Sequence, residues 1–162
     1  MRNPKNKSEF KVLARNRFAF HDYDISDRFE AGLSLLGTEI KSIRAGGISL
    51  KEGYVRVKDG EVWLMDTQIS PYSHTASTSG HETFRPRKLL LHRYEIDSIV
   101  GKVQRKGLTI IPLQIYIKNN HAKIEIGLAR SKKNYQKKQD IIDRDMARDT
   151  GREIKQATRE RR

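Results

Sequence analysis

Cysteine is absent from the 162 residues, which excludes a disulfide framework and a Cys-ligated zinc site. No apolar run approaches the roughly 20 residues that span a bilayer. Residues 1–11 are basic but lack the apolar stretch of a signal peptide, so the chain is expected to stay in the cytoplasm, away from membranes. Aromatics are scarce, at 7%, and hydrophobic residues make up only 36% against 33% charged, a small core under much solvated or partner-facing surface. Catalytic signatures are missing too. The five histidines show no H-x-E or H-E-x-x-H spacing, and there is no P-loop, dinucleotide glycine fingerprint or G-x-S-x-G elbow. The expectation is a protein without catalytic activity, cofactor or metal.

What the chain has in excess is positive charge. Thirty-three Lys and Arg face twenty Asp and Glu, a net of +13 and a pI near 10.1. Such a field attracts polyanions, and nucleic acid is favoured over an anionic membrane or an acidic protein.

Local patterns outline a mainly β body. Residues 1–15, polar and basic, predict a mobile arm. The alternation and aromatic density from Phe18 to Tyr23 predict a strand, which would point His21 and Asp22 to opposite faces. Thr38 is a candidate helix N-cap, with Glu39 at the positive end of the dipole and Gly46-Gly47 as the stop. Asp59-Gly60 and Asn119-Asn120 are two-residue turns between alternating runs and predict hairpins 54–65 and 113–128. In the second hairpin strict alternation implies one face in the core and one in solvent, with an edge or a bulge at Pro112. Ile96, Ile99, Val100 and Val103 recur at helical spacing and Gly107 closes that helix. Residues 70–86 predict a long loop. Trp63 is expected in the core. Together these patterns predict a small antiparallel β-barrel of the OB type, with two to three helices, over residues 16–130.

Residues 131–162 differ. They hold eleven Lys or Arg against six acids, a net of +5, leaving +8 on the rest. Arg144, Arg148, Arg152, Lys155, Arg159 and Arg162 recur every three or four residues, one basic stripe if helical. Lys132, Lys133, Lys137 and Lys138 bracket Tyr135, a ring suited to stacking on a base while ammonium groups hold phosphate. With few apolar residues and Gly151 inside it, this tail is expected to be disordered alone and helical on a phosphate-lined surface; a solvated charged helix is the alternative.

Several blocks, taken in order, resemble the small protein B (SsrA-binding protein) family of bacteria. They are Asn16 with Ala19-Phe20-His21-Asp22-Tyr23; Phe29-Glu30-Ala31-Gly32-Leu33; Gly37 to Arg44; Arg87-Lys88-Leu89-Leu90-Leu91-His92; Gly101-Lys102 with Lys106-Gly107-Leu108-Thr109; and Ile126 to Lys133. The resemblance implies an OB-type barrel that binds the tRNA-like domain of transfer-messenger RNA (tmRNA) and enters stalled ribosomes as a monomer, with alanyl-tmRNA and elongation factor Tu as further partners. It implies that Asn16, His21, Glu30, Leu90 and Lys123 contact that RNA. It also implies that the tail occupies the empty mRNA path near the decoding centre, in place of a codon–anticodon pair. One departure stands out: where the family commonly has Asp-Lys-Arg after the ring, this chain has Gln136-Lys137-Lys138.

Two rival readings are weaker. A general single-stranded RNA-binding, cold-shock-like barrel needs several surface aromatics, which are scarce here. An RNA-processing hydrolase needs convergent acids or metal ligands, and none is visible.

Overall fold

The computed structural model describes residues 11–72 and 80–160. The elements run β1 (Lys11–Arg15), α1 (Arg17–Asp22), β2 (Tyr23–Leu33), α2 (Gly37–Arg44), β3 (Ile48–Ser49), β4 (Tyr54–Lys58), β5 (Glu61–Met65), β6 (Gln68–Ile69), β7 (Arg87–Leu90), α3 (Arg93–Lys106), β8 (Thr109–Lys118), β9 (His121–Ser131) and α4 (Asn134–Glu160). The chain divides into two compact units, one up to Arg130 and one from Ser131.

In the first unit the strand order is β1-β8-β4-β5-β7-β2-β9, and β8 also pairs with β9. That last pairing closes six strands into a barrel, with β1 added outside on β8. Closure removes the free sheet edges that would otherwise template aggregation. Both tight hairpins form as the sequence predicts. Asp59 and Gly60 have φ of 52° and 73°, and Asn119 and Asn120 have 50° and 65°, the left-handed pair that matches the twist of the flanking strands. Inside the ring Val62, Leu64, Leu89, Ile115, Ile124 and Ile126 pack with Ile43 of α2 and Ile99 of α3. Helix α3 ends at Gly107, which is left-handed and donates its N–H to the Val103 carbonyl at 3.0 Å.

Several expectations are corrected. Lys11–Arg15, expected within a mobile arm, is a strand paired with β8; residues 1–10 lie outside the described residues. Phe18 to Asp22 is helix, not strand. The Asn16 side chain accepts from the Ala19 N–H at 3.2 Å and starts α1, and because the distant Leu50 and Pro112 carbonyls hold that side chain in place the cap outweighs aromatic strand propensity. Leu36, not Thr38, is the N-cap of α2, and the Glu39 carboxylate takes the Leu36 N–H at 2.8 Å. Thr38 Oγ1 instead meets His81 Nδ1 at 3.1 Å, tying the end of the long loop to α2. His74 lies outside the described residues.

The second hairpin does not keep one face in solvent. A bulge between Pro112 and Gln114 shifts the pairing. Leu113 therefore joins Ile111, Ala19 and Ala129 in a small cluster, while Ile110 and Ile115 face the main core. One extra residue reverses the side-chain alternation, so that Ile115 faces the same core as Ile110. Trp63 is half-buried and sits on the outer face of β5, opposite Arg56 on one side and Lys88 on the other.

The second unit is a 27-residue helix, about 40 Å long. The segment expected to be disordered alone and helical on a phosphate-lined surface is in its helical form here. Lys133 N–H donates to Gln136 Oε1 at 3.1 Å, half of a capping box at the helix start. Pairs Arg148–Asp145 at 3.7 Å and Arg152–Asp149 at 3.5 Å line its surface. Asp140 pairs with Lys132 at 2.5 Å.

Candidate nucleic-acid interface

Alternation along β2 turns Arg28 and Glu30 outward and Ala31 inward. The Asn119-Asn120 turn fixes the register of β8 and β9, setting Tyr116 opposite Lys123 and Lys118 opposite His121. Gly32 pairs with Leu90, and a Cβ on Gly32 would lie 3.3 Å from that of Leu90. The missing side chain lets Leu90 lean over β2 while remaining 53% exposed. These three local facts bring Glu30, Leu90 and Lys123, which are far apart in sequence, into one open cleft of about 900 Å³.

Glu30 is the electrostatic centre of the cleft. The Tyr116 hydroxyl donates to it, Lys118 Nζ lies 3.0 Å from Oε2, and Lys123 Nζ lies 4.0 Å from Oε1. The Tyr116 hydrogen bond and the Lys118 ammonium hold its carboxyl below the usual carboxylate range. Burial and the Glu30 contact push the Tyr116 phenol well up. At neutral pH the cleft therefore presents an ionised carboxylate, which only accepts hydrogen bonds, flanked by two ammonium groups, which only donate.

The other implied RNA contacts lie elsewhere. Asn16 is only 6% exposed. Its Nδ2 donates to the Leu50 carbonyl at 3.2 Å and the Pro112 carbonyl at 3.1 Å, and its Oδ1 caps α1. Its hydrogen-bonding capacity is used within the barrel, so it acts on His21 by holding helix α1. Asn16→Ala is expected to destabilise the fold by about 2 kcal/mol, combining a lost cap with the lost hydrogen bonds to the Leu50 and Pro112 carbonyls. A urea midpoint equal to the parent's would contradict this.

His21 is half-exposed on α1, with Nδ1 2.9 Å from Asp22 Oδ1. The two side chains thus meet, because the segment is helical rather than extended. Neither Asn16 nor His21 lines the cleft. Arg28, two residues before Glu30 on the same face of β2, stacks over the ring of Phe20 at 5.6 Å and pairs with Glu125 at 3.6 Å. It links the cleft side of the barrel to α1.

Tyr116 and Lys118 are neighbours of Glu30 that sequence reasoning missed. The signal was present: a two-residue turn at 119–120 already sets Tyr116 across from Lys123. Among the described residues no three His, Asp or Glu side chains cluster as metal ligands would, and no helix is long and apolar enough to cross a membrane.

In the second unit Lys133, Tyr135, Lys138, Arg144, Arg148, Arg152 and Lys155 are exposed, and Lys132 and Lys137 are half-buried. The stripe read from the sequence is therefore presented along one helix. Arg159 belongs to the helix, but its side chain lies outside the described residues, as does all of Arg162. The Gln136 side chain caps the helix start.

A family model described as "SmpB protein" matches residues 13–156. A protein of Roseiflexus sp. (strain RS-1) called "SsrA-binding protein" is 53% identical over 149 residues, covering 92% of this chain and 94% of that relative. An "SsrA-binding protein" of Thermosynechococcus vestitus (strain NIES-2133 / IAM M-273 / BP-1) is 49% identical over 146 residues, covering 90% of this chain and 96% of the relative. A chain of the solved structure described as "tmRNA-SmpB: a journey to the center of the bacterial ribosome" is 45% identical, with a TM-score of 0.63, covering 76% of this chain and 86% of that one.

Proposed function

The chain belongs to the SmpB protein family, and on that premise we propose that its barrel binds the tRNA-like domain of tmRNA and brings that RNA to stalled ribosomes. The observation that carries this reading is the convergence of Glu30, Leu90 and Lys123 on one cleft, with Lys118 beside them. The relatives' name and the neighbouring tmRNA-SmpB structure support the same partner.

The chemistry suits a folded RNA. Lys118 and Lys123 attract phosphate. An ionised carboxylate repels it, so Glu30 selects neutral donors instead: base amino groups or ribose 2′-hydroxyls. Exposed Leu90 offers apolar contact to a sugar or base. Helix α4, with its exposed cationic stripe, is the segment proposed to lie in the mRNA path near the decoding centre, where Tyr135 would face a base. Nothing in this role calls for a reacting group: the protein binds and positions RNA.

Full-length protein is expected to bind a tRNA-like RNA about 1,000-fold more tightly than unstructured RNA of equal length at matched physiological salt, the low side of specific-to-non-specific ratios. Equal affinities would favour the cold-shock-like reading. Glu30→Gln is expected to weaken binding about tenfold, because the charge-assisted hydrogen bond is lost. Tighter binding by this variant would mean that Glu30 only repels the RNA.

A further inference from the structure

The cleft continues past Leu90 to a wall built from the start of α3. There the rings of His92 and Tyr94 are stacked, with centroids 5.5 Å apart and planes within 10°. The pair is held in place. His92 is the N-cap of α3, and its backbone N–H donates to Glu95 Oε2 at 2.9 Å, which fixes the turn between β7 and the helix. His92 backs one face of the Tyr94 ring, and Tyr94 is still 71% exposed, so the opposite π-face is open. The same cleft is lined by Lys118, Asn119 and His121 of the β8–β9 hairpin. That hairpin is itself anchored: Arg44 donates to Asn120 Oδ1 at 2.8 Å.

An exposed ring backed by a second ring, in one cleft with two ammonium groups, is the arrangement that takes a flat, uncharged, π-faced group attached to an anion. A nucleotide is such a group. Bases inside a duplex have both faces stacked and cannot supply one; a base turned out of a loop can. We propose that Tyr94, braced by His92, is a stacking platform for one unpaired nucleobase of the bound RNA, with the adjoining phosphate on Lys118 and Lys123. This inference depends on the barrel-binding role proposed above and adds to it a preference for an unpaired base. Tyr94 thereby becomes a specificity-determining contact outside the set implied by family resemblance.

The test compares full-length parent, Tyr94→Ala, Tyr94→Phe and Lys123→Ala in binding a tRNA-like RNA over a range of salt. Tyr94→Ala is expected to weaken binding roughly 5- to 100-fold, the range for losing one base–aromatic stack. The slope of log K against log salt should not change, since the ring neutralises no phosphate. Tyr94→Phe should recover most of the loss. Lys123→Ala should weaken binding and reduce the slope by about one. Far-ultraviolet circular dichroism confirms that each variant is folded. If Tyr94→Ala binds like the parent while Lys123→Ala is weakened, the platform is wrong and the barrel role stands. If Tyr94→Phe is as weak as Tyr94→Ala, the hydroxyl and not the ring makes the contact, and stacking is overturned. If the parent shows no preference for the tRNA-like RNA, the barrel role fails and the platform falls with it.

Discussion

Glu39→Gln is expected to destabilise the barrel by about 3–5 kcal/mol at neutral pH, the range for removing one partner from a buried ion pair. Glu39 and Arg87 are both fully buried. Arg87 Nε donates to Glu39 Oε1 at 2.8 Å, and its remaining nitrogens donate to the carbonyls of Thr67 at 2.7 Å and Thr83 at 3.1 Å. Arg85 adds two more hydrogen bonds to the same carboxylate, at 2.9 and 2.5 Å. With Gln at 39, the guanidinium of Arg87 keeps its dipolar partners but loses its counter-charge in a fully buried site. Equilibrium urea unfolding measures the loss; a difference below about 1 kcal/mol would show that Glu39 is not a required counter-ion.

The pH dependence follows from the same geometry. Burial alone would raise the Glu39 carboxyl, but the hydrogen bonds from Arg85, the Leu36 amide and Arg87 outweigh it and hold the group below its ordinary range. A carboxyl lowered on folding contributes stability that is complete above its unfolded value and disappears as pH falls through the folded one. The gap between parent and Glu39→Gln should therefore be widest near neutrality and narrow on acidification below about pH 4. The network also holds the start of β7, the strand that carries Leu90, so the variant should lose RNA affinity without any RNA contact at position 39.

Deleting residues 131–162 is expected to abolish rescue of stalled ribosomes and to leave affinity for the tRNA-like RNA nearly unchanged. Both hydrophobic clusters lie within the first unit, between Leu13 and Ala129, so the truncated chain keeps its core. The cleft residues are all in that unit as well. Since the tail's cations would contact a different RNA, the salt slope for the tRNA-like domain should stay the same. A purified rescue reaction and a salt titration of binding report on the two roles separately. Loss of tRNA-like RNA binding on truncation would show that α4 shares in gripping that RNA, against the division of labour proposed here.

What the amino-acid sequence determines alone is whatever depends on a few neighbouring residues. Asp59-Gly60 and Asn119-Asn120 dictate their turns, because left-handed backbone is accessible to those residue types. The apolar period over 96–103 and Gly107 dictate α3. The three- and four-residue recurrence of Arg and Lys dictates the stripe on α4. The outcome at positions 16–22 was decided by tertiary structure: the same aromatic segment reads as strand until Asn16 is seen bonded to Leu50 and Pro112, residues distant in the chain. The two buried faces of β8, the outward placement of Trp63, the Glu39–Arg87 pair and the cleft at Glu30 have the same origin. Each depends on which distant surfaces bury one another when the ring closes. Local dihedral preferences and periodicities carry no term for that, whereas desolvation and long-range pairing do.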